Sequence, residues 1–232
     1  MSFAVGQIIS YMEMCITEGT SLQRGMNYRL KSGKTVVLMS RRSNAPYSDT
    51  VSPDGQVITY EGHDATSGEV EIPKLVDQPF KTPSGTLTQN GLFYQSAMET
   101  KEGRQPPELV QVYEKLFTGT WVFNGVFDLI DAYQVSDGRR NVYKFVLRLS
   151  ENPAGDATAS SLPIRSNDRV IPSHVKREVY KRDGGKCVLC GETDNLHFDH
   201  DLPYSLGGTS LLVENIQLLC AFHNLSKSNR IQ

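Results

Sequence analysis

An α+β protein in two parts is what this sequence predicts, and three observations predict it. Up to residue 150 the chain carries short runs rich in β-branched and aromatic residues, bounded by turn-forming clusters, with little helix-like spacing between them. From residue 151 the chain becomes small, polar and aperiodic, as a linker does. Behind that stretch two short chelating pairs, Cys187-Val-Leu-Cys190 and Cys220-Ala-Phe-His223, bracket a segment containing Asp199-His200. The expected organisation is a front domain over 1–150, a linker over 151–168 and a small rear domain over 169–232.

In the front domain Lys34–Ser40, Gln56–Tyr60, Leu109–Tyr113, Val126–Ile130 and Asn141–Leu149 read as strands. Ser52-Pro-Asp-Gly55 and Ser136-Asp-Gly138 supply turn signals, and the last two strands form a hairpin. Thr88–Lys101 reads as a helix, and another is expected after Ile9. Several strands buttressed by helices give a curved sheet or barrel. In the rear domain Pro172–Arg182 opens on proline and places Val175 and Val179 four apart, which predicts a helix. Leu196–Asp199 reads as a short strand, Pro203–Thr209 as a glycine-containing loop, and Val213–Lys227 as mainly helical. A unit under about 80 residues builds a weak core by itself, so a structural metal makes physical sense there.

The bulk properties bound the function loosely. A chain of 232 residues holds one large or two small domains. It has no run of about 18 apolar residues to cross a bilayer, and Met1–Tyr11 lacks the pattern of a signal segment, so a cytoplasmic protein without a membrane partner is expected. The formal net charge of −2 does not mark the whole chain as a nucleic-acid binder. Positive charge is local, in Arg41-Arg42, Arg139-Arg140, Lys176-Arg177 and Lys181-Arg182, each of which alone reads as a solvated face. Cys15 stands apart from the other cysteines and reads as a small buried apolar residue.

Thiolate and imidazole are the usual structural ligands of zinc, and C-x-x-C lets two sulfurs reach one ion from a tight turn. Cys187, Cys190, Cys220 and His223 therefore make a Cys3His set for structural Zn2+. A redox role for the first pair is disfavoured by the second pair at a zinc-like distance. Within and just after this knuckle come Asp199-His200, Pro203, Gly207-Gly208, Glu214-Asn215, Leu218-Leu219-Cys220, Asn224 and Lys227. That pattern resembles the HNH (His-Asn-His, ββα-metal) endonuclease family over residues 169–229. The resemblance implies that Asp199 and Asn224 hold a catalytic Mg2+ or Mn2+, that His200 is the general base and that Asn215 fixes the His200 loop. Asn224 stands where the family name has its last histidine. Alone, His200 would read as a structural histidine; beside Asp199 inside the knuckle it gains a chemical role. His174 and His197 do not, and His197 reads as exposed.

A nuclease head of this kind grips backbone, so specificity must come from the front domain. Residues 44–64, with Tyr47, Asp49 and Tyr60, resemble the pocket region of the SRA (YDG) family, which flips modified cytosine out of DNA. Leu87-Thr-Gln-Asn90 and Trp121-Val-Phe-Asn-Gly-Val-Phe127 extend the resemblance over residues 5–150. It implies an SRA-like curved β-barrel with flanking helices that holds a modified cytosine between Tyr47 and Tyr60, with Asp49 accepting from the exocyclic amino group. The base is 5-methylcytosine first, with hydroxymethylcytosine or another base left open. Glu61 stands where a small hydroxyl residue is usual, and the spacing from Tyr47 to Asp49 is short. The plainer reading makes Tyr47 and Tyr60 barrel core and Asp49 a turn cap. Taken together, the resemblances imply a modification-dependent restriction endonuclease acting on double-stranded DNA, as a homodimer if both strands are cut. Two alternatives stand beside it: an HNH nuclease whose front domain reads unmodified sequence or DNA shape, and a non-catalytic reader of modified DNA.

Overall fold

The runs of β-branched and aromatic residues in the front of the chain pair into one eight-stranded sheet. The structure is a computed structural model that describes residues 3–66, 68, 70–152, 170–202 and 207–227; the expected linker lies outside these from residue 153 on. The strands are β1 (Ile8–Ser10), β2 (Met26–Asn27), β3 (Thr35–Met39), β4 (Thr50–Val51), β5 (Val57–Glu61), β6 (Glu108–Phe117), β7 (Thr120–Ser136) and β8 (Asn141–Leu149). Their order is β2-β3-β6-β7-β8-β5-β4, with β1 added on β7. The β3–β6 pair is parallel and the others are antiparallel. One edge of the long β7 is shared: β1 takes residues 120–122 and β8 takes the part from Phe127 on. The predicted strands and the β7–β8 hairpin are all present.

Two helices buttress this sheet. Ser10 and Glu13 form a reciprocal capping box that starts α1 (Tyr11–Glu18), and Gly19 in the left-handed region at φ 69° ends it. Thr88 caps α2 (Gln89–Lys101) by accepting from the Gly91 N–H. Phe93 and Ala97 of α2 pack with Val110, Val112, Phe127, Leu129 and Phe145, all fully buried, to make the main core. The expected barrel is not closed: no pairing among the described residues joins β2 to β4, and these end strands are two residues long. Strands that short offer too few backbone groups to carry a ladder round.

The rear of the chain folds as helix, strand, strand, helix: α3 (Ser173–Arg182), β9 (Leu196–His200), β10 (Ile216–Cys220) and α4 (Ala221–Lys227). Helix thus begins only at Ala221, not at Val213 as the spacing predicted. Val213–Asn215 form a 3-10 turn, and Ile216–Cys220 pair antiparallel with β9, from Ile216 opposite His200 to Cys220 opposite Leu196. Ile216, Leu218, Leu219 and Cys220 fit a helix or a buried strand by pattern, and the available partner strand decides.

Front and rear share one core. Leu116 and Val122 cluster with Ile171, Val175, Val179, Phe198 and Leu218. Main-chain bonding adds to this, since the Phe198 N–H donates to the Gly6 carbonyl at 3.0 Å. Gly6 lies at φ 80°, and a Cβ there would stand 2.9 Å from the Phe198 oxygen, so this crossing requires glycine. His197 is buried rather than exposed, because Gln7 bridges to it over the end of β9.

Beneath this seam lies a buried ion pair. Lys176 of α3 is 2.8 Å from Glu114 of β6 and also donates to Asn124 Oδ1, while Asn124 Nδ2 donates to Glu114. Burial alone would push the Glu114 carboxyl up, but the Lys176 ammonium overrides it and holds the group below the usual carboxylate range. Lys176 and likewise Arg140, which bonds Asp64 and Asp137, are therefore not on solvated faces. Lys176→Met leaves a bare buried carboxylate and is expected to cost about 3–5 kcal/mol. Adding Glu114→Leu should recover most of the loss. Urea unfolding of the parent and the two variants checks this; a Lys176→Met protein as stable as the parent would contradict it.

Candidate functional site

Two tight turns and the end of β10 create the first site. Cys187 and Cys190 lie on the turn after α3, Cys220 ends β10 and His223 sits in the first turn of α4. Their ligand atoms all lie within 4.8 Å of one another. Cys190 and Cys220 sulfurs are 3.8 Å apart, and His223 Nδ1 is 3.3 Å from Cys220 Sγ and 3.5 Å from Cys187 Sγ. Two sulfurs each about 2.3 Å from a tetrahedral ion are separated by roughly this distance, so the set fits zinc. Burial raises the Cys187 thiol, but main-chain donors at Cys220, Leu189 and Cys190 outweigh it and bring the group down to about 6. A thiolate there suits a metal.

The second group lies across the β9–β10 hairpin. His200 ends β9, is 3 % exposed, and its Nε2 shares a 2.8 Å hydrogen bond with Ser210 Oγ. Asn215 ties the two ends of the intervening loop. Its Oδ1 accepts from the Leu202 N–H at 2.8 Å, and its Nδ2 donates to the carbonyls of Leu202 and Thr209 at 3.1 and 2.9 Å. The loop ends come so close that a Cβ on Gly208 would sit 1.8 Å from the Leu202 oxygen. Asp199, half-buried, has Oδ2 2.6 Å from Lys227 Nζ, and the same ammonium donates to the His200 carbonyl. Burial raises the Asp199 carboxyl above its ordinary range despite the opposing pull of Lys227. Asn224 lies on α4, which packs against β9. The Asp199 carboxylate is thus already engaged by a fixed ammonium. Lys227 and Ser210 are the partners that the sequence did not single out, although Lys227 already stood in the motif.

The front-domain residues come together less openly. Asp49 Oδ1 accepts from the Glu61 N–H at 3.0 Å, and burial pushes its carboxyl up to about 6, so at neutral pH it is still chiefly an acceptor. Asp49 thus sits on the main chain next to Tyr60, while the Tyr47 hydroxyl accepts from the Asp64 N–H at 3.5 Å, and burial pushes the Tyr60 hydroxyl well above its ordinary range. Tyr60 is 3 % exposed, its ring belongs to the main core and its hydroxyl donates to the Leu38 carbonyl at 3.3 Å. Tyr47 is half-buried, and its ring carries the Lys74 ammonium 4.2 Å from the centroid. Lys74 is held there by Asp64 at 2.9 Å and the Pro46 carbonyl at 2.6 Å. A base stacking on that face of Tyr47 has to displace it. His63 Nδ1 lies 3.0 Å from the Asp64 main-chain oxygen, a contact within the loop.

No protein-family model and no curated protein matches this chain. Solved structures do resemble it. The SUVH5 SRA domain in complex with fully methylated CG DNA aligns with 70 % of this chain and 95 % of its own, at 20 % identity and a TM-score of 0.45. The DNA modification-dependent restriction endonuclease AspBHI aligns over 71 % of this chain and 88 % of its own, at 17 % identity and a TM-score of 0.47. The Type IV phosphorothioation-dependent restriction endonuclease ScoMcrA covers 99 % of this chain at 16 % identity and a TM-score of 0.44, and this chain spans 57 % of that one. Likenesses of this size assign no function, so the chain's own residues must. Among the described residues no helix is long and apolar enough to cross a membrane.

Proposed function

We propose that this protein is a DNA endonuclease whose rear ββα unit hydrolyses phosphodiester bonds and whose front domain accepts a flipped, modified cytosine. One observation carries the nuclease reading. Asp199 and His200 end a strand whose following loop is clamped by Asn215, inside a hairpin and helix braced by the Cys3His cluster. The HNH-type motif supports the same roles for the same positions.

In this reading His200 takes a proton from water as the water oxygen bonds to phosphorus and the bond to the 3′ oxygen breaks. That oxygen takes a proton from solvent, leaving 5′-phosphate and 3′-hydroxyl ends. Nε2 faces Ser210 Oγ, which holds the ring in place for this transfer. Asn215 holds the loop that orients the ring. Lys227 fixes Asp199 and the last carbonyl of β9 together, and its charge favours an approaching phosphate. Asp199 and Asn224 would hold Mg2+ or Mn2+, which would supply Lewis-acid stabilisation of the charge that develops on cleavage. Zn2+ on Cys187, Cys190, Cys220 and His223 has a structural part only. In the front domain, Tyr47 offers the face on which the base stacks, Asp49 accepts from its exocyclic amino group and Tyr60 forms the floor below. The SRA-like motif supports this assignment.

Incubating supercoiled plasmid bearing 5-methylcytosine with the protein, and Mg2+ or Mn2+ supplied separately, tests the nuclease reading. Nicking or linearisation with ligatable 5′-phosphate ends is expected. Intact plasmid under both ions would leave the non-catalytic reader as the surviving account.

A further inference from the structure

A group of cations lies between the base pocket and the rear unit, and nothing above uses it. Arg177 on α3 donates from Nη2 to the Arg41 carbonyl at 3.2 Å, joining the rear helix to the segment that follows β3. Its Nη1 is buried and has no hydrogen-bond partner. Arg42 lies next along the chain and donates from Nε to Ser40 Oγ at 3.2 Å. Arg41, Arg42 and Asp49 lie on one connection, the segment between β3 and β4. Among the described residues no carboxylate pairs with Arg41, Arg42 or Arg177, in contrast to Arg29, Arg140 and Arg182. Glu114, which faces the neighbouring Lys176, bonds that ammonium and Asn124 through Oε2, while its buried Oε1 has no hydrogen-bond partner.

A guanidinium offers five donors in a fixed fork, and a buried donor without an acceptor is costly. The acceptor that fits a cluster of unneutralised arginines is a phosphate, which takes two donors from each fork. We propose that Arg41, Arg42 and Arg177 form a seat for the phosphates of duplex DNA lying between the flipped base and the cutting site. This rests on the DNA reading above and adds the path of the duplex: the strand leaving the pocket at Asp49 crosses Arg42 and Arg41 and reaches the rear unit at Arg177. A seat joined to both units by the Arg177–Arg41 contact fixes the distance between recognition and cleavage.

Backbone contacts have a signature that structural roles lack. Each phosphate neutralised contributes about 0.9 to the slope of log affinity against log salt concentration. Fluorescence anisotropy of an unmodified and a methylated duplex, over a series of KCl concentrations and without added Mg2+ or Mn2+, measures that slope. Arg177→Ala is expected to reduce it by about 0.9, equally on both duplexes, and Arg177→Lys to retain it. Arg42→Ala, whose side chain makes one hydrogen bond to Ser40, provides a second variant with little risk to folding and the same expected loss. Unchanged slopes in Arg177→Ala and Arg42→Ala, with tight binding by the parent protein, would overturn the seat and leave the nuclease reading intact. A parent protein without salt-dependent DNA binding would overturn both.

Discussion

His200→Ala is expected to lower the cleavage rate about 10²–10⁴-fold while leaving DNA affinity within about twofold of the parent. The magnitude is that of a general base removed from a site whose other parts remain. Affinity should survive because His200 is 3 % exposed and offers DNA almost no surface. Its ring is held by Ser210, and the loop around it is held by Asn215, so alanine removes the proton acceptor while the Asn215 clamp persists. Single-turnover cleavage and anisotropy on the same duplex separate the two effects. Equal losses in rate and affinity would mean that His200 packs the loop and does no chemistry. Unchanged cleavage would remove it from the mechanism altogether.

Stripping zinc is expected to have the larger structural effect. Cys187 and Cys220 are buried members of the rear core, in contact with residues that α3, β9 and β10 contribute. Zinc binding by small finger peptides is worth about 10–16 kcal/mol near neutral pH, comparable with the whole stability of a domain. A strong chelator, or Cys187→Ser, should therefore release amide protection throughout β9, β10 and α4. Strands β3, β6, β7 and β8, whose core is built on Val110, Phe127, Leu129 and Phe145, should keep theirs. Elemental analysis of the untreated protein should find one zinc per chain. Hydrogen exchange that is the same with and without chelator would show that the Cys3His cluster is not a metal site.

Most of the architecture was legible because it is written in short-range pattern. Strand runs between turn signals, the β7–β8 hairpin, and the valines four apart in α3 are local facts, and each produced the element expected. What failed depended on partners distant in sequence. Ile216–Cys220 became a strand because β9 lay open beside it, and no window on the sequence contains that information. Lys176 reads as half of a solvated basic pair until Glu114 and Asn124, on two strands of the front sheet, close round it. Among the described residues no pairing joins β2 to β4, each two residues long, and how far a sheet closes depends on strands distant in sequence.

The site shows the same division. Cys187, Cys190, Cys220 and His223 converge as their spacing predicted, since two short chelating pairs constrain geometry strongly. Asn215 reaches across the loop to Leu202 and Thr209, a role that motif position implied and spacing alone could not. Lys227 on Asp199 and Lys74 on Tyr47 were not foreseen, because a flexible ammonium finds its carboxylate or ring only once the fold is in place. Tyr60 buries its ring in the core, so of the two expected stacking partners Tyr47 is the more accessible.

The central claim is that a modified base in the front domain licenses cutting by the rear unit. Its most direct measurement is the initial rate of cleavage of one duplex prepared with cytosine and with 5-methylcytosine at the same positions, with Mg2+ or Mn2+ supplied. The account predicts cleavage of the methylated duplex at a rate at least tenfold higher, with the difference lost in Asp49→Ala; a tenfold rate ratio corresponds to about 1.4 kcal/mol of discrimination. Equal rates on the two duplexes would contradict it, leaving a nuclease whose front domain reads something other than the modification.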